Sequence, residues 1–329
     1  MANTKNILEA KELYKFFPVK RSILDVITKK PQKFVKAVDG VNLEVKEGEN
    51  LGLVGESGCG KSTLARTLIR LYEPTKGKII FENKDFTSLS GTELRKKRTD
   101  IQMIFQDPYS SLNPRMSVRE ILEEAMKYHK ICEPSEMEGK LRELMDMVGL
   151  PRKAIDRFPG EFSGGQRQRI GIARALAVDP KIILADEPVS ALDVSIQAQI
   201  INLLNELKNE LNLTIVFIAH DLGVVKYITN RVAVMYLGKI VELGPTEALF
   251  DKPGHPYTNI LTNAAPELDP RIRSDETVIE GEIPSPLNIP PGCRFHPRCP
   301  RAVERCKVEV PEMRDMGNDR FLACHRPLI

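Results

Sequence analysis

Gly55-Glu56-Ser57-Gly58-Cys59-Gly60-Lys61-Ser62-Thr63 is a glycine-spaced loop that closes on Gly-Lys-Ser-Thr, and its setting decides how the chain folds. The residues before it, Asn50-Leu51-Gly52-Leu53-Val54, read as a short buried strand. Those after it, Leu64 to Leu71, have helical composition and no breaker. Strand, loop and helix in that order are the context in which G-x-x-x-x-G-K-[ST] cradles phosphate. The glycines let backbone N–H groups wrap the β- and γ-phosphates, and the helix start adds the positive end of its dipole. Lys61 is placed to reach the β/γ oxygens and the Ser62 hydroxyl to coordinate Mg²⁺. The expectation is an α/β protein that binds a nucleoside triphosphate.

Further motifs follow downstream. Lys181-Ile182-Ile183-Leu184-Ala185-Asp186-Glu187-Pro188 is an apolar strand ending in two carboxylates. Asp186 would hold Mg²⁺ through water and Glu187 would polarise the nucleophilic water. Their adjacency suits these roles, because alternate strand residues point to opposite sides. Ser190-Ala191-Leu192-Asp193 comes within one turn. Leu213 to Ala219 is another buried strand, ending at His220-Asp221. A histidine at the C-terminal end of a parallel strand can hydrogen-bond a γ-phosphate, although a lone histidine is more often structural. Ile101 to Pro108 reads as a strand with Gln106 at its polar end, where an amide could hold both a metal ion and an attacking water. Taken alone, such a glutamine is usually solvated. Phe162-Ser163-Gly164-Gly165-Gln166-Arg167 opens a helix that runs to Leu176, with Ser163 as N-cap and two glycines permitting close approach by an anion. That is a second phosphate-binding helix end in one chain.

Around these motifs, residues 7–17 and 34–46 read as strands of an antiparallel edge. Phe17 or its neighbour Phe16 could stack on an adenine face; the alternative is that both rings are core. Lys20, Arg21, Lys29, Lys30, Lys33 and Lys36 form a basic insertion, read as a solvated loop or as a contact for a partner or anionic lipid surface. From Ser117 to Leu150 the period becomes helical, with Val118, Ile121, Leu122 and Ala125 on one face and Leu141, Leu144, Met145 and Val148 on the next, a helical insertion in an α/β protein. Strands at 231–236 and 240–244 are expected to complete the sheet.

A net charge of only +3 gives no electrostatic case for nucleic acid. No apolar run approaches the roughly 18–20 residues of a membrane helix, and the polar start, Met1 to Asn6, lacks the apolar core of a signal peptide. The expectation is a cytoplasmic chain with at most a peripheral membrane role. Of the six cysteines, Cys293, Cys299, Cys306 and Cys324 crowd the last forty positions, in a Pro/Gly-rich segment that cannot form a long helix. In a reducing compartment a metal or cluster site fits better than disulfides. The C-x5-C-x6-C-x17-C spacing lacks the tight pair usual for zinc, and four thiolates in an irregular loop also suit a [4Fe–4S] cluster. His296 and His325 flank them as substitute ligands. Cys59, inside the phosphate loop, is more often a small spacer than a sensor; close to a helix start, its thiol pKa is expected to be lowered, and alkylation that blocks ATP is the prediction.

Taken together, the loop 55–63, Gln106, Phe162–Gln166, Ile182–Glu187, Asp193 and His220 resemble, in order, the motifs of the ATP-binding subunits of ABC transporters, across roughly residues 7–260. Phe162 stands where the family usually has leucine. Val35 to Val41, Met103 to Met116 and the tail from His255-Pro256-Tyr257-Thr258 narrow the resemblance to the oligopeptide/dipeptide (and nickel) importers, most nearly the F-type of their two paralogous ATPases. The resemblance implies an ABC-type nucleotide-binding domain over 1–260: a RecA-like core, an antiparallel β edge and a helical subdomain at about 108–178. An irregular cysteine-rich extension would occupy 261–329. It further implies a head-to-tail heterodimer in which Ser163, Gly164, Gly165 and Gln166 of one subunit meet ATP held by residues 55–63 of the other. Glu187 would be general base, His220 the γ-phosphate sensor, and Gln106, with Lys61, part of the catalytic set. Phe17 would be the adenine-stacking ring; Ser62, Gln106 and Asp186 would serve Mg²⁺. The implied partners are a paralogous ATPase, two permease chains and, indirectly, an extracellular peptide-binding protein. The family tail favours [4Fe–4S] on the four cysteines, with zinc as the alternative. Peptide import driven by MgATP hydrolysis is the function so implied; nickel import, or a soluble non-transport ABC ATPase, is the alternative.

Overall fold

The computed structural model describes residues 5–21, 27–29, 31–263, 282 and 284–329. The centre of the basic insertion, including Lys30, and the junction around 264–281 lie outside the described residues. In chain order the strands are β1 (Asn6–Pro18), β2 (Phe34–Lys46), β3 (Asn50–Val54), β4 (Lys76–Phe81), β5 (Lys84–Asp85), β6 (Ile101–Ile104), β7 (Ile182–Asp186), β8 (Thr214–Ala219), β9 (Arg231–Tyr236), β10 (Lys239–Pro245), β11 (Arg314–Asp315) and β12 (Phe321–Leu322). The chain divides into two compact units, one built on Lys46–Asn50 and Ser88–Ile218, the other on Asn6–Val45, Leu51–Thr87 and Ala219–Ile329.

In the first unit β6, β7 and β8 run parallel, with Ile101 opposite Ile182 and Ile182 opposite Thr214. Every residue of β7 and β8 is buried. Continuous apolar runs of this kind mark parallel strands covered on both faces. The helical insertion consists of Val118–His129 and Met137–Met147. The first begins in a reciprocal cap: Ser117 Oγ accepts from the Glu120 N–H at 3.3 Å, and the Glu120 carboxylate accepts from the Ser117 N–H at 2.7 Å. Val118, Ile121, Leu122 and Met126 form its buried face. Met126 takes the inward position expected of Ala125, which is only half-buried.

In the second unit β1 lies between β2 and β4, and β1 and β4 are antiparallel. β3 pairs with β9 in parallel, Leu51 opposite Arg231, and β10 returns antiparallel to β9. β10 does not end the sheet, as the sequence suggested. β12 pairs with it antiparallel through Glu242 and Leu322, and β11 pairs with β12. Two-residue strands carry no alternation, which is why the pattern missed them. They are held instead by the Ala323 N–H on the Val241 carbonyl at 2.9 Å and by Arg320 Nη2 on Glu242 Oε1 at 2.6 Å. Glu242 is fully buried; its second oxygen accepts the His255 N–H at 2.9 Å. A buried carboxylate satisfied on both oxygens in this way is tolerated.

Candidate nucleotide site

In the second unit β3 delivers the loop Gly55–Thr63 to the helix Lys61–Leu68. Gly60, its N-cap, sits at φ 112°, and a Cβ there would lie 2.1 Å from the Ala37 carbonyl oxygen. No other residue fits that backbone at that distance. No side chain caps the helix start. The Lys61 side chain is buried inside the loop, its Nζ donating to the Gly55 carbonyl at 2.7 Å and the Glu56 carbonyl at 3.1 Å. An ammonium and a glycine-capped helix start at one place form an anion-binding concavity.

Glu56 is tied to residues far along the chain. Its N–H donates to the Tyr257 hydroxyl at 2.8 Å, and its carboxylate is held by Arg298. Cys59 departs from its reading. It is buried, 4% exposed, and burial pushes its thiol pKa up, outweighing the nearby Lys61 charge. A helix start lowers a thiol pKa only where water can also reach the sulfur. The expected alkylation-sensitive thiol is therefore a packed spacer. Phe17 meets Tyr72 edge-on, 5.4 Å between centroids, with Lys15 Nζ 5.0 Å from its ring centre, whereas Phe16 pairs with Tyr14. Tyr72 and Lys15 belong to this aromatic edge, and nothing in the sequence singled them out. His220 is exposed directly after β8, and Asp221 beside it caps the helix Leu222–Ile228 by accepting the Gly223 N–H at 2.8 Å.

In the first unit Asp186 is the last residue of β7 and is fully buried. The strand-alternation argument for Glu187 does not hold. Glu187 lies beyond the strand, at φ 46°, with its N–H donating to the Ile218 carbonyl at 3.0 Å. It sits on a left-handed backbone, a conformation uncommon for non-glycine residues. Gln106, exposed two residues beyond β6, donates from Nε2 to Glu187 Oε2 at 2.9 Å. The two candidates meet, and the amide fixes the orientation of the carboxylate.

Ser163 caps the helix Gly164–Leu176 as expected, and reciprocally. Its hydroxyl accepts the Gln166 N–H at 3.3 Å, while the Gln166 side-chain oxygen accepts the Ser163 N–H at 3.0 Å. Gln166 thus has a structural task that the motif alone did not disclose. A Cβ on Gly165 would fall 2.5 Å from Ile196 Cγ2, so the glycine is needed for the close approach of the segment after Asp193. Asp193 itself is exposed at the start of the helix Val194–Glu210 and makes no side-chain cap bond. Arg174 donates to the Ser111 carbonyl and lies over Phe105, bracing the stretch that carries Gln106.

In the tail, Cys306 and Cys324 are buried and Cys293 and Cys299 half-buried, none in a disulfide. Burial first, and then the neighbouring cysteines, raise the thiols: Cys293 up to about 11, Cys299 and Cys324 in the same direction. The four thus share a neighbourhood. Among the described residues, however, no group of three or more His, Cys, Asp or Glu side chains is placed to hold a metal ion.

Comparison with known proteins places the chain among relatives. The family described as ABC transporter matches residues 38–190, and that described as oligopeptide/dipeptide transporter, C-terminal region, matches 241–306. The chain is 51% identical over 327 residues to the oligopeptide transport ATP-binding protein AppF of Bacillus subtilis, covering 98% of each chain. It is 50% identical to a probable peptide ABC transporter ATP-binding protein, y4tS, of Sinorhizobium fredii, covering 97% of this chain and 89% of that one. Among solved structures it resembles the dimeric ATP-binding cassette MJ0796 bound to ADP and Pi, with TM-score 0.62 and 31% identity over 73% of this chain and 98% of that chain. It also resembles cbiO1 of Clostridium perfringens, part of an ABC transporter complex, with TM-score 0.63 and 28% identity over 75% of this chain and 91% of that chain. With a relative half identical along nearly its whole length, the chain belongs to the ATP-binding subunits of ABC transporters, in their oligopeptide/dipeptide branch.

Proposed function

We infer that this chain is the ATP-hydrolysing subunit of a membrane importer for di- and oligopeptides. The observation that carries the chemistry is the Gln106–Glu187 hydrogen bond of 2.9 Å, an amide holding a carboxylate beside a buried Asp186. The loop 55–63 binds the phosphates through backbone N–H groups and Lys61, and Phe17 lies against the adenine. Glu187, held by Gln106, takes the proton of the attacking water, the task of a general base. His220 contacts the γ-phosphate. Ser62, Gln106 and Asp186 offer only oxygen ligands, a donor set that fits Mg²⁺; the ion would neutralise charge on the phosphates. Ser163 and Gly165 approach ATP held by a paralogous subunit, with Asp193 nearby. Residues 1–260 carry hydrolysis and 261–329 form the extension.

Among the described residues no helix is long and apolar enough to cross a membrane. On this reading the chain works peripherally, on the cytoplasmic face, beneath two permease subunits fed by an external peptide-binding protein. The four tail cysteines ligate a [4Fe–4S] cluster, zinc being the alternative. Their shared neighbourhood supports this reading, in which a bound metal would hold them as thiolates. Iron, sulfide and zinc content after anaerobic purification tests this: four irons and four sulfides support the cluster, and neither metal refutes it. The function is tested by isolating the tagged chain from membranes. Two integral-membrane chains should come with it, and peptide-loaded binding protein should stimulate its ATPase. A chain isolated without permeases, hydrolysing ATP indifferently to peptide, would refute import.

A further inference from the structure

We propose that Arg298 and Tyr257, both far downstream of the phosphate-binding loop, are positioning residues for that loop, so that the C-terminal part of the chain sets its affinity for nucleotide. The proposal rests on the reading of residues 55–63 as the ATP site. Arg298 holds the Glu56 carboxylate with both terminal nitrogens, Nη1 to Oε2 at 2.7 Å and Nη2 to Oε1 at 2.8 Å. The pair is largely withdrawn from water, with side-chain exposures of 5% and 18%. Planar two-point recognition is a geometry that arginine supplies and lysine does not. The Tyr257 hydroxyl accepts the Glu56 N–H at 2.8 Å. The Glu56 carbonyl in turn accepts from the Cys59 N–H at 3.3 Å and Lys61 Nζ at 3.1 Å. Glu56 is thus clamped by remote residues through its carboxylate and N–H, while its carbonyl steadies the loop and its lysine.

The two anchors are themselves fixed. Phe295, 1% exposed, packs against Tyr236 and Tyr257 with ring centroids 5.3 Å from each, and Tyr236 and Tyr257 stand 4.7 Å apart. Arg298 ends the short turn His296–Arg298, between Cys293 and Cys299. That turn is secured by the Cys293 N–H on the Cys306 carbonyl at 2.8 Å and the His296 N–H on the Cys293 carbonyl at 3.0 Å. A phosphate loop works by presenting N–H groups already in place, and a loosened loop must be ordered when ligand binds. The loss should fall on ground-state binding and spare the chemical step.

The test is an equilibrium titration of the full-length chain with MgATP, together with turnover and melting temperature. Arg298→Gln should raise Kd and KM about tenfold or more with kcat nearly unchanged, on the scale of a hydrogen bond to a charged group. Arg298→Lys should fall between it and the wild type. Tyr257→Phe should weaken binding about threefold, the scale of one neutral hydrogen bond. Arg320→Gln is the structural control. It removes a comparably buried pair that ends on Glu242 instead of the loop, and should lower the melting temperature while leaving Kd near the wild-type value. A folded Arg298→Gln chain that binds MgATP as tightly as wild type overturns the proposal. So does an Arg320→Gln chain that loses as much affinity as Arg298→Gln. Wild-type chain that binds no MgATP overturns the ATP reading, and this proposal with it.

Discussion

Two helix starts in this chain are proposed to meet phosphate, and they are closed in opposite ways. The helix Lys61–Leu68 begins at a left-handed glycine with no side-chain cap, and its lysine curls into the loop ahead of it. The helix Gly164–Leu176 begins in a complete Ser163–Gln166 capping box. The first end has no side chain on its backbone donors, whereas the second satisfies the Ser163 and Gln166 N–H groups with its own side chains. An end of the first kind gains most from a phosphate gripped throughout the cycle. An end of the second kind keeps its shape alone, which suits the proposed role of meeting nucleotide held by another subunit.

That contrast predicts separable defects. The largest lies in the proposed general base: Glu187→Gln should cut turnover by about 10²-fold or more while MgATP still binds, measured as phosphate release beside equilibrium binding. Lys61→Ala should weaken MgATP binding by about 10- to 100-fold, the scale of a charge-assisted hydrogen bond, before any effect on chemistry is seen. Ser163→Ala should lower stability by about 1 kcal/mol through the lost cap. It should leave the chain's own Kd near wild type while slowing hydrolysis in the assembled pair.

The anchor of the loop carries a smaller, pH-dependent signature. His255 is 1% exposed, its Nδ1 accepts the Tyr257 N–H at 3.0 Å, and burial pushes its pKa down to about 3. Its folded pKa lies below the unfolded value near 6.5, so the unfolded chain binds the extra proton between those limits. Stability is therefore complete above about pH 6.5 and falls on acidification by at most about 1.4 kcal/mol per pH unit. Urea midpoints at pH 7 and 5 should show the loss, and His255→Gln should flatten it. Smallest of all is the expected reactivity of Cys59: at neutral pH iodoacetamide should leave it unmodified in the folded chain and modify it after unfolding, read by peptide mass.

What the sequence made legible was local. The loop 55–63, the Ser163 cap and the apolar runs of β7 and β8 each express their structure within a few residues, so composition and spacing sufficed. The alternation argument for Glu187 failed, since a left-handed residue after a strand leaves no periodic trace. The lowered thiol pKa expected of Cys59 failed because a helix start is visible in sequence and the burial opposing it is not. The Arg298–Glu56 pair joins positions 242 apart, and the β12–β10 pairing rests on two residues, Phe321 and Leu322. Neither leaves a pattern that reading along the chain could detect.

The most direct test of the account is to measure MgATP binding and turnover on the same preparations of the Lys61→Ala and Ser163→Ala chains, each assembled with its partner subunits. The account predicts that Lys61→Ala loses binding at its own loop, whereas Ser163→Ala binds within about twofold of wild type and hydrolyses at least about tenfold more slowly, a loss of transition-state interaction alone. A Ser163→Ala chain that fails to bind nucleotide, or a Lys61→Ala chain that binds normally, would contradict it.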